Sequence, residues 1–422
     1  MIERFKGIYF LSVFLILAPP IFILNPALNT HRLAGILWLF LSLTVLLGSI
    51  KKGGKTKVEK KLLFFFLFYI AVRSLSILGA QNIEAFLGTY EDFIFPAILF
   101  ILSLHFIKTS KDIERIISIL FSIVVLNVAL QTIAFLNPSL LISFGGIFIH
   151  PEYLRIAEVN LFRGRIFIEN YDETLTPVIS YFLIKDRVRK FPFLILLVSI
   201  VFFSFFSGFR TKFLMLIFAL SGSAAVFRKY LPRLSLGFIL ILVLFFLVYS
   251  IPFSGRNYTV FDRLFLDEAG DLSTVTTGRI DRWGKAIEMG LSSPVFGVGL
   301  GNYFDHLEYS DQRSFSLFKE VRDQFSIAAR DPHDVFFSTL AETGFLGFSS
   351  LILLLLFFLQ KDIAIIKRGE GLSKAFVLSF WTLFVFALLN PSTSIVYQAL
   401  FWTLRVMIEK SSEISLSRSS LV

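Results

Sequence analysis

The sequence predicts an all-α integral membrane protein of about twelve transmembrane helices, with both termini cytoplasmic and one long extracytoplasmic loop. Three observations carry that expectation. The 422-residue chain is 55% hydrophobic and 17% charged, with 53 Phe and a mean hydropathy of +0.74. A soluble fold needs more polar side chains than this to cover its surface. The apolar residues fall in runs near twenty residues, the length at which a helix crosses a bilayer core. The Lys and Arg residues gather in alternate connections, as positive-inside orientation demands. The formal charge of +10 therefore reads as membrane orientation, and no nucleic-acid partner is expected. With no Cys, the chain has neither a disulfide scaffold nor a thiolate metal site.

The runs lie at about 7–28, 32–50, 62–79, 86–107, 113–136, 172–184, 191–207, 210–226, 234–251, 335–359, 372–390 and 394–409. The sixth is the shortest and opens on Asp172 and Glu173. Pro19 and Pro20 stand where a signal peptide would need small residues, so the first run is expected to stay as an anchor. Arg4 and Lys6 precede it. Lys51 to Lys61, Lys108 to Arg115, Lys185 to Lys190, Arg228 to Arg233 and Lys361 to Lys374 fill the loops of one parity. The short connections near 80–85 and 391–393 contain no Lys or Arg. The chain thus divides into residues 1–251 (nine spans), 252–334 (a long polar outward loop) and 335–422 (three spans and a cytoplasmic tail). Residues 137–171 form a second outward segment. A long loop in a bundle of short turns is usually where function sits.

The candidate chemistry lies outside the spans. Arg330-Asp331-Pro332-His333-Asp334 closes the long loop. Asp331 before Pro332 reads as a helix N-cap, which puts His333 in the first turn, where the macrodipole favours a neutral imidazole. Upstream, Ile280, Trp283 and Ile287 share one face of an amphipathic helix expected to lie at the membrane. Arg279 and Arg282 are three apart and project to one side, where two guanidinium groups suit a diphosphate. Lipid snorkelling, or pairing with Asp281, is the alternative. Pro294, Gly297, Gly299 and Gly301 form a turn without the spacing of a phosphate loop. Ser207-Gly208-Phe209-Arg210-Thr211-Lys212 is an outward turn whose basic residues positive-inside logic leaves unexplained. Arg73, Glu91, Asp92 and Arg405 fall within spans and are expected to face the bundle interior.

Together these segments resemble the O-antigen ligase and O-antigen polymerase superfamily of bacterial envelope glycosyltransferases. The likeness rests on Gly278-Arg279 with Trp283, on the Pro294 to Gly301 turn, on Pro332-His333, and on Glu342, Gly344 and Gly347, with Ser207 to Thr211 as a Ser-Arg element. The motifs cover about residues 200–350. One departure is His333-Asp334 where the family commonly has His-Asn.

The resemblance implies transfer of a glycan from undecaprenyl diphosphate to an acceptor hydroxyl, glycan or lipid-linked, on the outer side of the cytoplasmic membrane. By the same analogy, Arg210 and Arg279 hold the diphosphate and His333 acts as the base or orients the acceptor. Arg282 is expected to bind substrate with them, and His306 is a further candidate for the acceptor. No cofactor is expected. No metal is expected either, since no Asp-x-Asp pair is present and the arginines supply the electrostatics. The rival class is a twelve-span secondary transporter or polysaccharide flippase, which calls for polar residues deep in several spans and broken helices at mid-membrane.

The topology is directly testable, because the native chain contains no Cys. A single Cys replacing Asp311 is expected to react with an impermeant reagent added from outside the cell, and Cys residues in 51–61 or 361–374 only after the membrane is opened. Reaction at 311 from the cytoplasmic side alone would invert the arrangement.

Overall fold

A computed structural model of the chain describes residues 2–19, 30–52, 60–137, 139–140, 170–185, 190–207, 209–228, 279–307, 331–390 and 392–419. Among these there is no strand. The helices are α1 (Ile2–Leu17), α2 (Thr30–Lys52), α3 (Lys60–Leu75), α4 (Ile83–Phe106), α5 (Ser110–Leu136), α6 (Thr176–Lys185), α7 (Lys190–Phe206), α8 (Arg210–Val226), α9 (Arg279–Ser292), α10 (Val335–Arg368), α11 (Gly371–Ala387) and α12 (Ile395–Ser419). Each predicted run overlaps one of them except 234–251, which lies outside the described residues, as do residues 20–28 of the first run, whose helix ends at Leu17, most of 137–171 and the loop stretches 252–278 and 308–330.

Four helices are long and apolar enough to cross a membrane by length and composition: Lys60–Gly79, Ile83–Phe106, Ser110–Leu136 and Val335–Arg368. The sixth run differs from expectation. After a 3-10 turn at Asp172–Leu175, α6 has 10 residues; at about 1.5 Å per residue it rises roughly half of the ~30 Å hydrocarbon core.

The bundle is held by aromatic side chains. Phe66, Phe100 and Trp402 stack across α3, α4 and α12 at 4.5 to 5.0 Å between ring centroids. At one end, charges are matched inside the bundle. Arg405, with no solvent exposure, donates both to Asp362 at 2.8 Å and to Glu409 at 2.5 Å. Lys361 closes the set on Glu409, and Lys6 pairs with Asp112 across α1 and α5. Arg73, the other arginine predicted to face inward, lies over the Phe93 ring at 4.5 Å and donates to the Tyr69 hydroxyl. Both arginines are therefore neutralised or stacked where burial of a bare charge would be costly.

The opposite end holds the candidate site, and a break in α10 organises it. Gly344 has φ 65 and ψ −169, so the helix opens there. The turn at 293–301 enters the gap. Phe345 N–H donates to the Pro294 carbonyl at 2.7 Å, Val298 N–H to Ala341 at 2.9 Å and Gly299 N–H to Glu342 at 3.0 Å. Intrahelical bonds are exchanged for bonds to the turn, and the buried backbone groups keep partners. The Glu342 carboxylate accepts a further bond from Gly301 N–H at 3.0 Å. Close approach requires glycine: a Cβ on Gly297, at φ +67, would lie 2.3 Å from the Glu342 carbonyl carbon. The turn's other side docks on the α3–α4 connection, where Asn302 accepts from Asn82 N–H at 2.7 Å and donates to Asn82 O at 3.1 Å.

Gly297→Ala is expected to lower the melting temperature of the detergent-solubilised protein sharply, because a left-handed residue costs about 1–2 kcal/mol before the backbone overlap is counted. Gly284, with nothing within 4 Å of its would-be Cβ, is the control. There, in a helix interior, alanine should leave stability unchanged or raise it by roughly 0.5–1 kcal/mol.

Candidate active site

Helix α9 runs beside the first half of α10, buried along Arg282, Ala286, Met289 and Gly290. Trp283 stacks on Phe337 with centroids 5.2 Å apart, so it anchors the helix pair. Ile280, Ile287 and Leu291 remain exposed on the other side. The amphipathic helix is present, and its buried face is that of Arg282 rather than the apolar stripe. Because the two helices run in the same direction, the N-terminus of α9 comes beside that of α10. Tyr303, with no solvent exposure, donates its hydroxyl to the Arg282 carbonyl at 2.9 Å and pins this first turn.

The start of α10 differs from the sequence expectation. The N-cap is Asp334, whose carboxylate accepts from Phe336 N–H at 2.7 Å and Phe337 N–H at 3.0 Å. Asp331 instead closes the preceding turn, accepting from His333 N–H and from the Ser338 hydroxyl. His333 therefore lies just before the helix at φ 63, a left-handed conformation uncommon for a non-glycine residue and one that histidine adopts more readily than most. The residue following the histidine has a capping role that Asn and Asp fill about equally, which accounts for His333-Asp334 in place of His-Asn.

The His333 ring is partly buried. Its Nδ1 faces the Asp331 carbonyl at 3.1 Å and its Nε2 faces Arg282 Nη1 at 3.2 Å. Burial is the largest influence on the imidazole and lowers its pKa below the ordinary 6.5; Asp331 opposes this, and the charges of Arg282 and Arg279 reinforce it. Neutrality at pH 7 thus comes mainly from desolvation, with neighbouring guanidinium groups as the second contribution.

Arg279 is the first residue of α9 and Arg210 the first of α8. Burial, then the charges of Arg282 and of Arg210, lower the basicity of Arg279, so Arg279 lies within electrostatic reach of both. Arg282 is 3% exposed, and its basicity is lowered by burial and restored in part by Asp331. Among the described residues Arg279 has no ion-pair partner, and its buried Nε has no acceptor. Like charges gathered in a partly desolvated place are unfavourable until an anion joins them.

Arg210, Arg279, Arg282 and His333 are thus brought together. His306 is not part of the group. It sits in the 3-10 turn Phe304–His306 with Nδ1 on the Asn302 carbonyl at 2.9 Å, and no described contact joins it to the arginines. Lys212 also leaves the cluster and donates to the Asn170 side chain, beside the buried Asp172, which accepts from Asn127 and Gln131. Sequence reasoning missed Asp331 as the residue that positions His333, and Asn302 as the bridge to α4. The only signal for the first was the short Asp-Pro-His spacing.

A family model described as O-Antigen ligase matches residues 193–354, which contain all of these positions. Over that segment the chain is similar to the O-antigen ligase family, the superfamily that the motifs resemble. No curated protein matches the chain.

If Asp334 acts as a cap, Asp334→Asn is expected to keep wild-type stability and activity. Asp334→Ala should lose about 1 kcal/mol of stability. Equal loss in both variants, measured by thermal unfolding and by transfer rate, would show that the carboxylate's charge matters beyond capping.

Proposed function

We propose that this protein transfers a glycan from undecaprenyl diphosphate to a hydroxyl of a glycan or lipid-linked acceptor, as a surface-polysaccharide ligase or polymerase. In this reading it is a multi-pass protein of the bacterial cytoplasmic membrane with about twelve spans and its site facing outward. The observation that supports it best is the convergence of Arg210, Arg279 and Arg282 on a neutral histidine within the O-antigen ligase segment. A diphosphate would bring counter-charge to Arg279, which has no ion-pair partner among the described residues and whose basicity Arg282 and Arg210 lower. The forked geometry of guanidinium fits its oxygens.

The chemistry follows from the groups present. The acceptor oxygen attacks the anomeric carbon of the donor sugar, a C–O bond forms there, and the bond to the diphosphate oxygen breaks with its electron pair leaving on the diphosphate. The hydroxyl proton passes to His333 Nε2. The arginines stabilise the charge that grows on the leaving group, which is the larger electrostatic task. A transporter is less well supported, because the arginine cluster sits at one end of the bundle while Arg73 and Arg405 within it are stacked or paired.

The test is transfer from purified lipid-linked donor in liposomes with chelator present. Arg210→Ala and Arg279→Ala are each expected to reduce the rate by about 10²–10³-fold, with lysine restoring only part. His333→Ala should cost about 10²–10⁴-fold, and His333→Gln nearly as much. A base with a lowered pKa stays neutral until the pH falls below its ordinary value, so the acid limb of the rate profile should lie below 6.5. Full activity in both arginine variants, or dependence on a divalent ion, would refute this scheme.

A further inference from the structure

We infer that Arg282 gates the proposed base: its guanidinium occupies the proton-accepting nitrogen of His333 until a diphosphate draws it away. This rests on the proposed diphosphate site and adds to it an order of events.

The tautomer follows from geometry. His333 Nδ1 faces the Asp331 carbonyl at 3.1 Å, and a carbonyl only accepts, so Nδ1 carries the proton. In the neutral ring Nε2 then holds the lone pair. That lone pair is the one a general base needs, and it points at Arg282 Nη1 3.2 Å away. A guanidinium only donates, and it does not give up its proton under ordinary conditions. In the arrangement seen here the base is therefore satisfied and inactive.

Two features make this contact a switch rather than a fixed scaffold. The backbone of Arg282 is held by the Tyr303 hydroxyl at 2.9 Å and by α9 packing on α10, so what can move is the side chain beyond Cα. The competing partners are also unequal. The guanidinium–imidazole bond has one charged member, whereas guanidinium–diphosphate has two and allows a forked pair of bonds. Arg279 lies within electrostatic reach of both Arg282 and Arg210, so a diphosphate that engages Arg279 arrives within reach of Arg282 as well. Once Arg282 turns to it, Nε2 is left open toward the incoming hydroxyl. His333 itself stays in place, held by Asp331 through both its backbone N–H and Nδ1. The acceptor is then activated only when the donor is bound. Asp331 is a positioning residue in this scheme, whereas Arg282 meets the diphosphate of the donor and His333 the acceptor hydroxyl.

The experiment is ¹⁵N spectroscopy of histidine-labelled protein in lipid nanodiscs, with His333→Gln identifying the resonances of that ring. The probe is undecaprenyl diphosphate, whose binding is followed on the same sample by its ³¹P lines. Without the probe, His333 should be neutral, protonated at Nδ1, with Nε2 hydrogen-bonded. At saturation the Nε2 resonance should move to the position of an unprotonated nitrogen that accepts no hydrogen bond. In Arg282→Met, which fills similar volume without the N–H, the resonance should lie there before any probe is added. Probe binding that leaves Nε2 unchanged, or that protonates it, overturns the gate while leaving the diphosphate site standing. Absence of probe binding removes the site itself, and the gate with it. The wild-type titration decides the matter even if Arg282→Met does not fold.

Discussion

The opening of α10 at Gly344 is the constraint from which the site follows. A continuous helix there would satisfy its own carbonyls and leave the 293–301 turn nowhere to dock. With the helix opened, Ala341 and Glu342 accept from Val298 and Gly299, and Pro294 accepts from Phe345. The turn is then fixed between α10 and the α3–α4 connection. Since the turn follows α9 directly, fixing it sets where α9 lies against α10, and so which of its residues meet His333. The glycines of the motif have a mechanical role: they let two backbones approach to hydrogen-bonding distance where any Cβ would intrude.

Electrostatics at the two ends of the bundle differ in kind. At one end Arg405 and Lys361 are matched by Asp362 and Glu409, and the set is closed. At the other, Arg210, Arg279 and Arg282 gather with Asp331 as the acid that bears on Arg282. A closed set favours rigidity, whereas neighbouring guanidinium groups that lower one another's basicity, as those around Arg279 do, favour an anionic ligand. The same imbalance acts on His333, whose neutrality owes most to burial and then to the neighbouring guanidinium groups. A site built this way prepares the imidazole to accept a proton by the charges that would hold the donor.

Much of the helical architecture was legible in the sequence because bilayer thickness imposes a length on every apolar run. Among the described residues helices lie where those runs were read, and Arg73 and Arg405 are buried as expected. The grouping of Arg210, Arg279, Arg282 and His333 was legible as chemistry, because four cationic or titratable side chains outside the spans had no topological reason to be there. What could not be read was register. Asp331 looked like a cap because Pro follows it, yet the cap is Asp334, three residues later; proline is compatible with either a first helical turn or a tight turn before it. The stripe Ile280-Trp283-Ile287 was read as the face of a helix lying at the membrane, and Ile280 and Ile287 are exposed; that α9 turns Arg282 inward was not legible, because Tyr303, Phe337 and the glycine turn, distant in sequence, decide its rotation. His306 stands apart from the arginines for the same reason: its turn is held by Asn302, and local sequence gives no hint of that bond.

The most direct measurement is an electron cryo-microscopy map of the protein in nanodiscs with undecaprenyl diphosphate bound. The account predicts diphosphate density bounded by Arg210, Arg279 and Arg282, with the Arg282 side chain turned from His333 and the 293–301 turn still seated in the opening of α10. Diphosphate density elsewhere on the protein, with the three arginines paired to carboxylates instead, would contradict it.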